Sequence, residues 1–188
     1  VEKVDQIKGL APHAYEYRAY KGTGLIAAVG HRGDPLPLRS SLLEFDWNMS
    51  AEWFQQVARE KYGSEEAAIP TSYEGKALPA FISEHMERVA DNLGICKWIY
   101  TLFVYEDAEM PTRLFNLVTG KDWEIDKLLK VSERVRNLER MFDVRQGLRR
   151  SDDTLPKKFF EQALSKGKFK GEVMDKEKFE QMKDEYYD

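Results

Sequence analysis

Six residues, Asp91-Asn92-Leu93-Gly94-Ile95-Cys96, bring together a carboxylate, a turn-forming glycine and the only cysteine of a 188-residue chain. A carboxylate accepts hydrogen bonds from the ring nitrogens of an amide-rich organic cofactor, and a thiolate is a soft ligand for iron and its neighbours. One short loop so composed could touch both groups at once. A lone cysteine supplies one ligand, so a metal centre held here takes its other ligands from outside this chain. Cys96 also has a plainer reading as a small buried hydrophobe. With Lys97 beside it and a new helix starting near Ile95, the thiol would sit in a first turn, where the helix dipole favours a thiolate. Backbone N–H groups in that turn could also donate to the sulfurs of an anionic iron–sulfur cluster.

Further candidates lie upstream. His31-Arg32-Gly33-Asp34-Pro35 places an imidazole, a guanidinium and a carboxylate in a proline-stiffened loop, with Arg32 and Asp34 able to hold a polar ligand or orient a substrate. The simpler alternative is that Asp34 pairs with Arg32 or caps nearby backbone amides. Gly22-Thr23-Gly24-Leu25-Ile26-Ala27 matches a loose dinucleotide fingerprint, and Glu44 stands 20 residues past Gly24. That fingerprint needs a strand, a glycine turn and a long helix. Here Gly30 and the proline loop cut the helix short, so the glycines are assigned to close packing. His85 falls between the apolar and polar faces of its helix and is expected at a boundary. No second cysteine, zinc-helix spacing or nucleophile elbow is present.

The elements that must carry these residues read as helices. Ser50 caps a helix running to about Tyr62, which Gly63 stops. Leu78 to Leu93 shows an apolar face of Leu78, Phe81, Ile82, Met86, Val89, Ala90 and Leu93, and Gly94 suits the left-handed position after its end. Residues 95–105 form an apolar run read as a buried helix. Pro111 starts a helix that Gly120 closes. Trp123 to about Gln146 is the longest element, capped by Asp122, with Leu128, Val131, Val135, Leu138 and Phe142 as its apolar stripe. Residues 148–172 read as basic surface loop, and Asp175 caps a last helix ending near Tyr187. The expectation is a mainly α, multihelical fold. Residues 1–73 form an N-terminal part of loops and short helices and residues 74–188 a C-terminal helical part, or the whole is one continuous domain.

Composition narrows the function. A hydrophobic share of 42% supports a sizeable core, and mixed charge with a net of −4 recommends no nucleic-acid partner. No apolar run reaches the roughly 18–20 residues of a membrane span. The single cysteine fits a reducing, cytoplasmic setting. A start at Val1 rather than Met suggests a piece of a longer protein.

Asp91-x-x-Gly94-x-Cys96 resembles the second pterin-binding motif of the aldehyde:ferredoxin oxidoreductase family of tungsten enzymes. Thr119-Gly120-Lys121-Asp122-Trp123, the run Glu133 to Phe142, the turn Arg149-Arg150-Ser151-Asp152-Asp153-Thr154-Leu155-Pro156 and the closing Lys183-Asp184-Glu185-Tyr186-Tyr187 are similar to the family's C-terminal region. Lys21-Gly22-Thr23-Gly24 and Arg32-Gly33 match further upstream. The resemblance implies that this is the C-terminal helical portion of a tungsten (or molybdenum) bis-pterin oxidoreductase. It implies that Asp91 binds pterin ring nitrogens, that Asn92, Leu93, Gly94 and Ile95 meet the pterin, and that Cys96 is the fourth ligand of a [4Fe–4S] cluster. Implied partners are the N-terminal pterin domain of the same chain and a ferredoxin or iron–sulfur electron-transfer subunit; homo- and hetero-oligomers are both open. Pro35 and Pro37 stand where aldehyde-oxidising members carry an active-site histidine and a basic residue. The family's benzoyl-coenzyme A reductase branch is therefore a second candidate, with an aromatic acyl-CoA substrate. The reading from a different class is a cofactor-free helical interaction module.

Overall fold

A computed structural model of the chain describes residues 4–32, 42–44, 50–96 and 109–188. Among these residues the regular structure is helical: α1 (Lys21–Val29), α2 (Ala51–Tyr62), α3 (Ala77–Leu93), α4 (Met110–Thr119), α5 (Ile125–Arg145), α6 (Lys158–Glu161) and α7 (Lys176–Tyr187). The chain is thus mainly α. Contacts divide it into two units, Val1–Ser83 with Arg149–Asp188, and Glu84–Leu148. The sequence division falls at 73/74; the contact-defined units part at 83/84, inside α3, and again at 148/149.

In the first unit α1 is buried along all nine residues. Its apolar side chains join Ile7, Tyr17, Ala80, Leu155, Phe159, Met174, Phe179 and Met182 in one core. A helix buried end to end cannot leave its terminal N–H and C=O groups to water, so other groups must satisfy them. At its N-terminus, Gly22 N and Thr23 N donate to the two carboxylate oxygens of Glu44 at 2.8 and 2.9 Å. Glu44 in turn pairs with Lys76 at 2.8 Å, both out of solvent. At the C-terminus, Lys8 Nζ donates to Ala28 O and Gly30 O at 2.6 and 2.5 Å and pairs with Asp153 at 2.6 Å. A carboxylate at the positive end and an ammonium at the negative end both match the helix dipole. Lys8 reaches its partners from a tight Ile7–Leu10 turn, where it adopts φ +50°, a left-handed conformation that costs a non-glycine residue about 1 kcal/mol.

Residues 148–172, expected as surface loop, contribute Asp153, Leu155 and Phe159 to this buried set. The segment includes α6, and Met174 N bonds back to Phe159 O at 2.8 Å. Farther along, α7 begins at Asp175, whose side chain accepts from Lys178 N at 3.0 Å. The α2 signals also hold: Ser50 accepts from Trp53 N, and Gly63 sits at φ +75°.

The second unit contains the C-terminal part of α3 with α4 and α5. Pro111 lies in the first turn of α4, and Gly120 follows it at φ +68°. Asp122 does not cap α5. That helix starts two residues later, after Glu124, with no side-chain cap, and the entry is held from α4 instead. Asn116 accepts from Trp123 N at 3.0 Å and donates to Trp123 O at 2.8 Å, while the Phe115 and Trp123 rings lie 4.8 Å apart.

The expected apolar stripe of α5 does not all face inward. Leu128 is buried, but Leu138 and Phe142 are 67% and 62% exposed. The buried line is Ser132, Arg136 and Asp143, with half-buried Glu139 between them. It lies one residue on from Val131, Val135, Leu138 and Phe142, a turn of about 100° around the axis. Polar groups on α3 explain the rotation. Arg136 bonds Glu84, Arg88 is ion-paired with Glu139 at 2.7 Å, and Asn92 approaches Ser132 at 3.5 Å. On α3 the same correction applies: Met86, Val89 and Ala90 are buried as expected, whereas Leu78 and Phe81 are 47% and 43% exposed.

Candidate functional site

The loop after α3 is shaped by its backbone. Gly94 takes φ +69°, its N–H bonds Asp91 O at 3.1 Å, and Ile95 N bonds Ala90 O at 2.9 Å. This paired closure ends a helix in a left-handed residue that glycine adopts without strain. A Cβ at Gly94 would meet nothing within 4 Å, so the glycine serves conformation and not space.

That turn carries Asp91 out of the last helical turn and leaves Cys96 two residues beyond the glycine. Asp91 and the Cys96 thiol are both exposed. Cys96 is thus not packed as a buried hydrophobe among the described residues. The first-turn reading depends on residues from Lys97 onward, which lie outside the described ones. The donor set fits the groups inferred from sequence: an acceptor-only carboxylate suits cofactor N–H donors, and one accessible thiol can supply one metal ligand.

Behind the loop lies charge. Arg88 Nη1 reaches Asp91 Oδ2 at 3.0 Å, and Arg88 Nη2 reaches Glu139 Oε2 at 2.7 Å. Its side chain is 5% exposed, against 36% for Asp91. The Glu139 carboxyl is shifted upward from its ordinary range, chiefly by burial; Arg88 and Arg136 oppose that shift, and Glu84 and Asp91 reinforce it. Arg88 and Glu139 are neighbours of the candidate loop not singled out from sequence. The signal for Arg88 is its place one helical turn before Asp91; nothing local marks Glu139 as its partner on another helix.

The other candidates separate. Arg32 lies in the first unit, exposed, its Nε 3.1 Å from His31 Nε2. Asp34 lies outside the described residues. His85 is buried at 7% exposure, not at the boundary expected. The glycines of the dinucleotide-like stretch serve packing. A Cβ at Gly22 would lie 2.9 Å from a Glu44 oxygen, and one at Gly24 would lie 3.0 Å from Met174 Cε. The carboxylate of Glu44 occupies the helix N-terminus where that fingerprint would put a pyrophosphate. Among the described residues no helix is long and apolar enough to cross a membrane.

Comparison with known proteins completes the picture. The family model for "Aldehyde ferredoxin oxidoreductase, domains 2 & 3" matches residues 2–188. A tungsten-containing aldehyde ferredoxin oxidoreductase from Pyrococcus furiosus is 28% identical over 96% of this chain and 27% of its own length. The protein of that name from Thermococcus kodakarensis is 27% identical over the same shares. That from Pyrococcus horikoshii is 34% identical over 60% of this chain and 18% of its own. The chain therefore spans about a quarter of the length of the relatives that cover it most fully, 27%. With nearly every residue from the second to the last inside the match, the chain belongs to the aldehyde ferredoxin oxidoreductase family and corresponds to its domains 2 and 3.

Proposed function

We propose that this chain is the C-terminal helical part of a tungsten–bis-pterin, [4Fe–4S] oxidoreductase that moves electrons between a substrate and a ferredoxin-like partner. The supporting observation is the exposure of Asp91 and Cys96 on one glycine-closed turn, with the carboxylate gripped from behind by Arg88. Bound, the tungsten pterin would supply the electron exchange with substrate. Asp91 would accept hydrogen bonds from pterin ring nitrogens, and the backbone from Asn92 through Leu93 and Gly94 to Ile95 would meet the pterin. Cys96 gives one thiolate to the cluster, whose other three ligands come from the rest of the protein. One loop would then serve both groups, offering its carboxylate to the cofactor and its thiolate to the cluster. Arg32 and Asp34 are the candidates for contact with the substrate.

With Pro35 and Pro37 in place of the family's histidine and basic residue, an aromatic acyl-CoA is favoured over an aldehyde. The setting is the cytoplasm, and the 188-residue piece alone is inactive. Anaerobic purification of the full-length protein tests the assignment: tungsten and iron are both expected, and Cys96→Ala is expected to lose cluster iron. Absence of both metals from the wild-type protein refutes it. The exposed Leu138, Met141 and Phe142 on α5 favour a second reading, a cofactor-free interaction module. In that case Cys96→Ala leaves composition unchanged and alters packing alone.

A further inference from the structure

We infer that Arg88 is the positioning residue for Asp91, holding its carboxylate from α5 in the orientation that meets the pterin; this rests on the assignment of Asp91 to the pterin. An ion pair at i, i+3 on an exposed helix face joins two mobile side chains and contributes little. This pair differs at the arginine end. The Arg88 side chain is 5% exposed, and its second arm is ion-paired with Glu139 at 2.7 Å on another helix. A buried guanidinium hydrogen-bonded to one carboxylate and ion-paired with a second has less freedom than an exposed one, so the arm that donates to Asp91 Oδ2 at 3.0 Å is held near one place. The carboxylate is oriented before any ligand arrives, which lowers the ordering cost of binding. Glu139 is thus the far anchor of a chain that runs α5, Arg88, Asp91, cofactor. Lysine at 88 would keep the charge without the fork and could not hold both carboxylates in one geometry.

The test uses the full-length protein, prepared anaerobically as wild type, Arg88→Lys, Asp91→Asn and the double variant. Tungsten and pterin loss during dialysis are followed by elemental analysis and by fluorescence of the oxidised pterin, with iron content and circular dichroism as controls. Arg88→Lys is expected to speed tungsten and pterin loss about 10- to 100-fold, as supporting partners of a bound group typically do. Iron and helicity should not change, and the double variant should lose cofactor no faster than Asp91→Asn. Wild-type retention by Arg88→Lys beside fast loss by Asp91→Asn overturns the role of Arg88 and leaves that of Asp91 standing. Additive losses also overturn it, since Arg88 would then act other than through Asp91. Wild-type retention by Asp91→Asn removes both. If Arg88→Lys fails to fold, Glu139→Gln takes its place; faster loss supports the anchor, and wild-type retention overturns it.

Discussion

Glu44→Gln tests the central claim about α1, that a buried carboxylate does there what an anionic ligand does in a nucleotide site. One oxygen of Glu44 accepts from Gly22 N and pairs with Lys76; the other accepts from Thr23 N and Thr23 Oγ1, each at 2.8 or 2.9 Å. Glutamine keeps one oxygen. If that oxygen stays on Gly22 and Lys76, the amide NH2 faces the Thr23 N–H. A buried donor left unsatisfied costs about 1–3 kcal/mol. Lys76 also loses its counter-charge, and breaking a buried pair costs about 3–5 kcal/mol. Two carbonyls, Ala67 O at 2.8 Å and Ile69 O at 2.7 Å, still accept from the ammonium and moderate that loss. The sum is placed near 3–4 kcal/mol, since the two costs share one site and do not add fully. At about 1.4 kcal/mol per tenfold, that raises the opening equilibrium of α1 more than a hundredfold. Hydrogen exchange of the Gly22–Val29 amides, read by mass spectrometry in the full-length protein, measures it locally without assuming two-state unfolding. Protection of α5 is the internal control. Protection of α1 that changes less than tenfold would refute the reasoning, as would protection of wild-type α1 by an added dinucleotide.

Other outcomes follow from the same physics. Lys8→Gly relieves the left-handed backbone yet removes the buried ammonium that pairs with Asp153 and donates to Ala28 O and Gly30 O, so a net loss of about 2–3 kcal/mol is expected in urea titrations. Leu128→Ala, at a 5% exposed site, should cost about 2–4 kcal/mol, and Leu138→Ala, at a 67% exposed one, under about 0.5; equal costs would refute the rotated face of α5. Burial pushes the Tyr62 phenol up to about 12 from its ordinary 10. The folded state therefore keeps the proton longer than the unfolded one, and the stability this contributes, full below pH 10, is lost as pH rises toward 12. Tyr62→Phe should remove that alkaline loss from denaturation curves, and absorbance at 295 nm should place the ionisation.

What the sequence made legible was local. Ser50, Gly63, Gly94, Gly120 and Asp175 announce helix ends because each acts on backbone within a few residues of itself, and each stands where the pattern puts it. The Asp91–Cys96 loop was legible for the same reason. Partners distant in sequence were not. Glu44 looked like the acidic member of a nucleotide fingerprint because a carboxylate beside a glycine-rich helix start has the same spacing whether it binds a ribose or the helix itself. The α5 face was misjudged because apolar periodicity assumes that apolar residues point inward. Two arginines on α3 and α5 with carboxylate partners across the seam override that, and no pattern within α5 reveals it. Asp122 has the side chain of a cap, but the Asn116 clamp on Trp123 fixes the backbone and shifts the helix start two residues on.

A polar seam between α3 and α5 is an expensive way to join helices, since a well-packed apolar seam is often as stable or more so. What it supplies is register. Sliding α3 by one residue moves its side chains 1.5 Å along the axis and about 100° around it. An apolar seam can repack after such a slip, whereas Glu84 with Arg136 and Arg88 with Glu139 cannot both be kept. The loop bearing Asp91 and Cys96 leaves α3 directly, so seam register becomes site geometry. Charge reversal examines this. Glu84→Arg and Arg136→Glu should each cost about 3–5 kcal/mol, because each leaves two like charges facing each other in a buried place. Together they should recover part of the loss. Full recovery is not expected, because a glutamate at 136 would stand beside Glu139, whose carboxyl already feels burial and the Asp91 charge and would lose the favourable charge of Arg136. Simple additivity of the two single costs in chemical denaturation would show that the pair does not set the register.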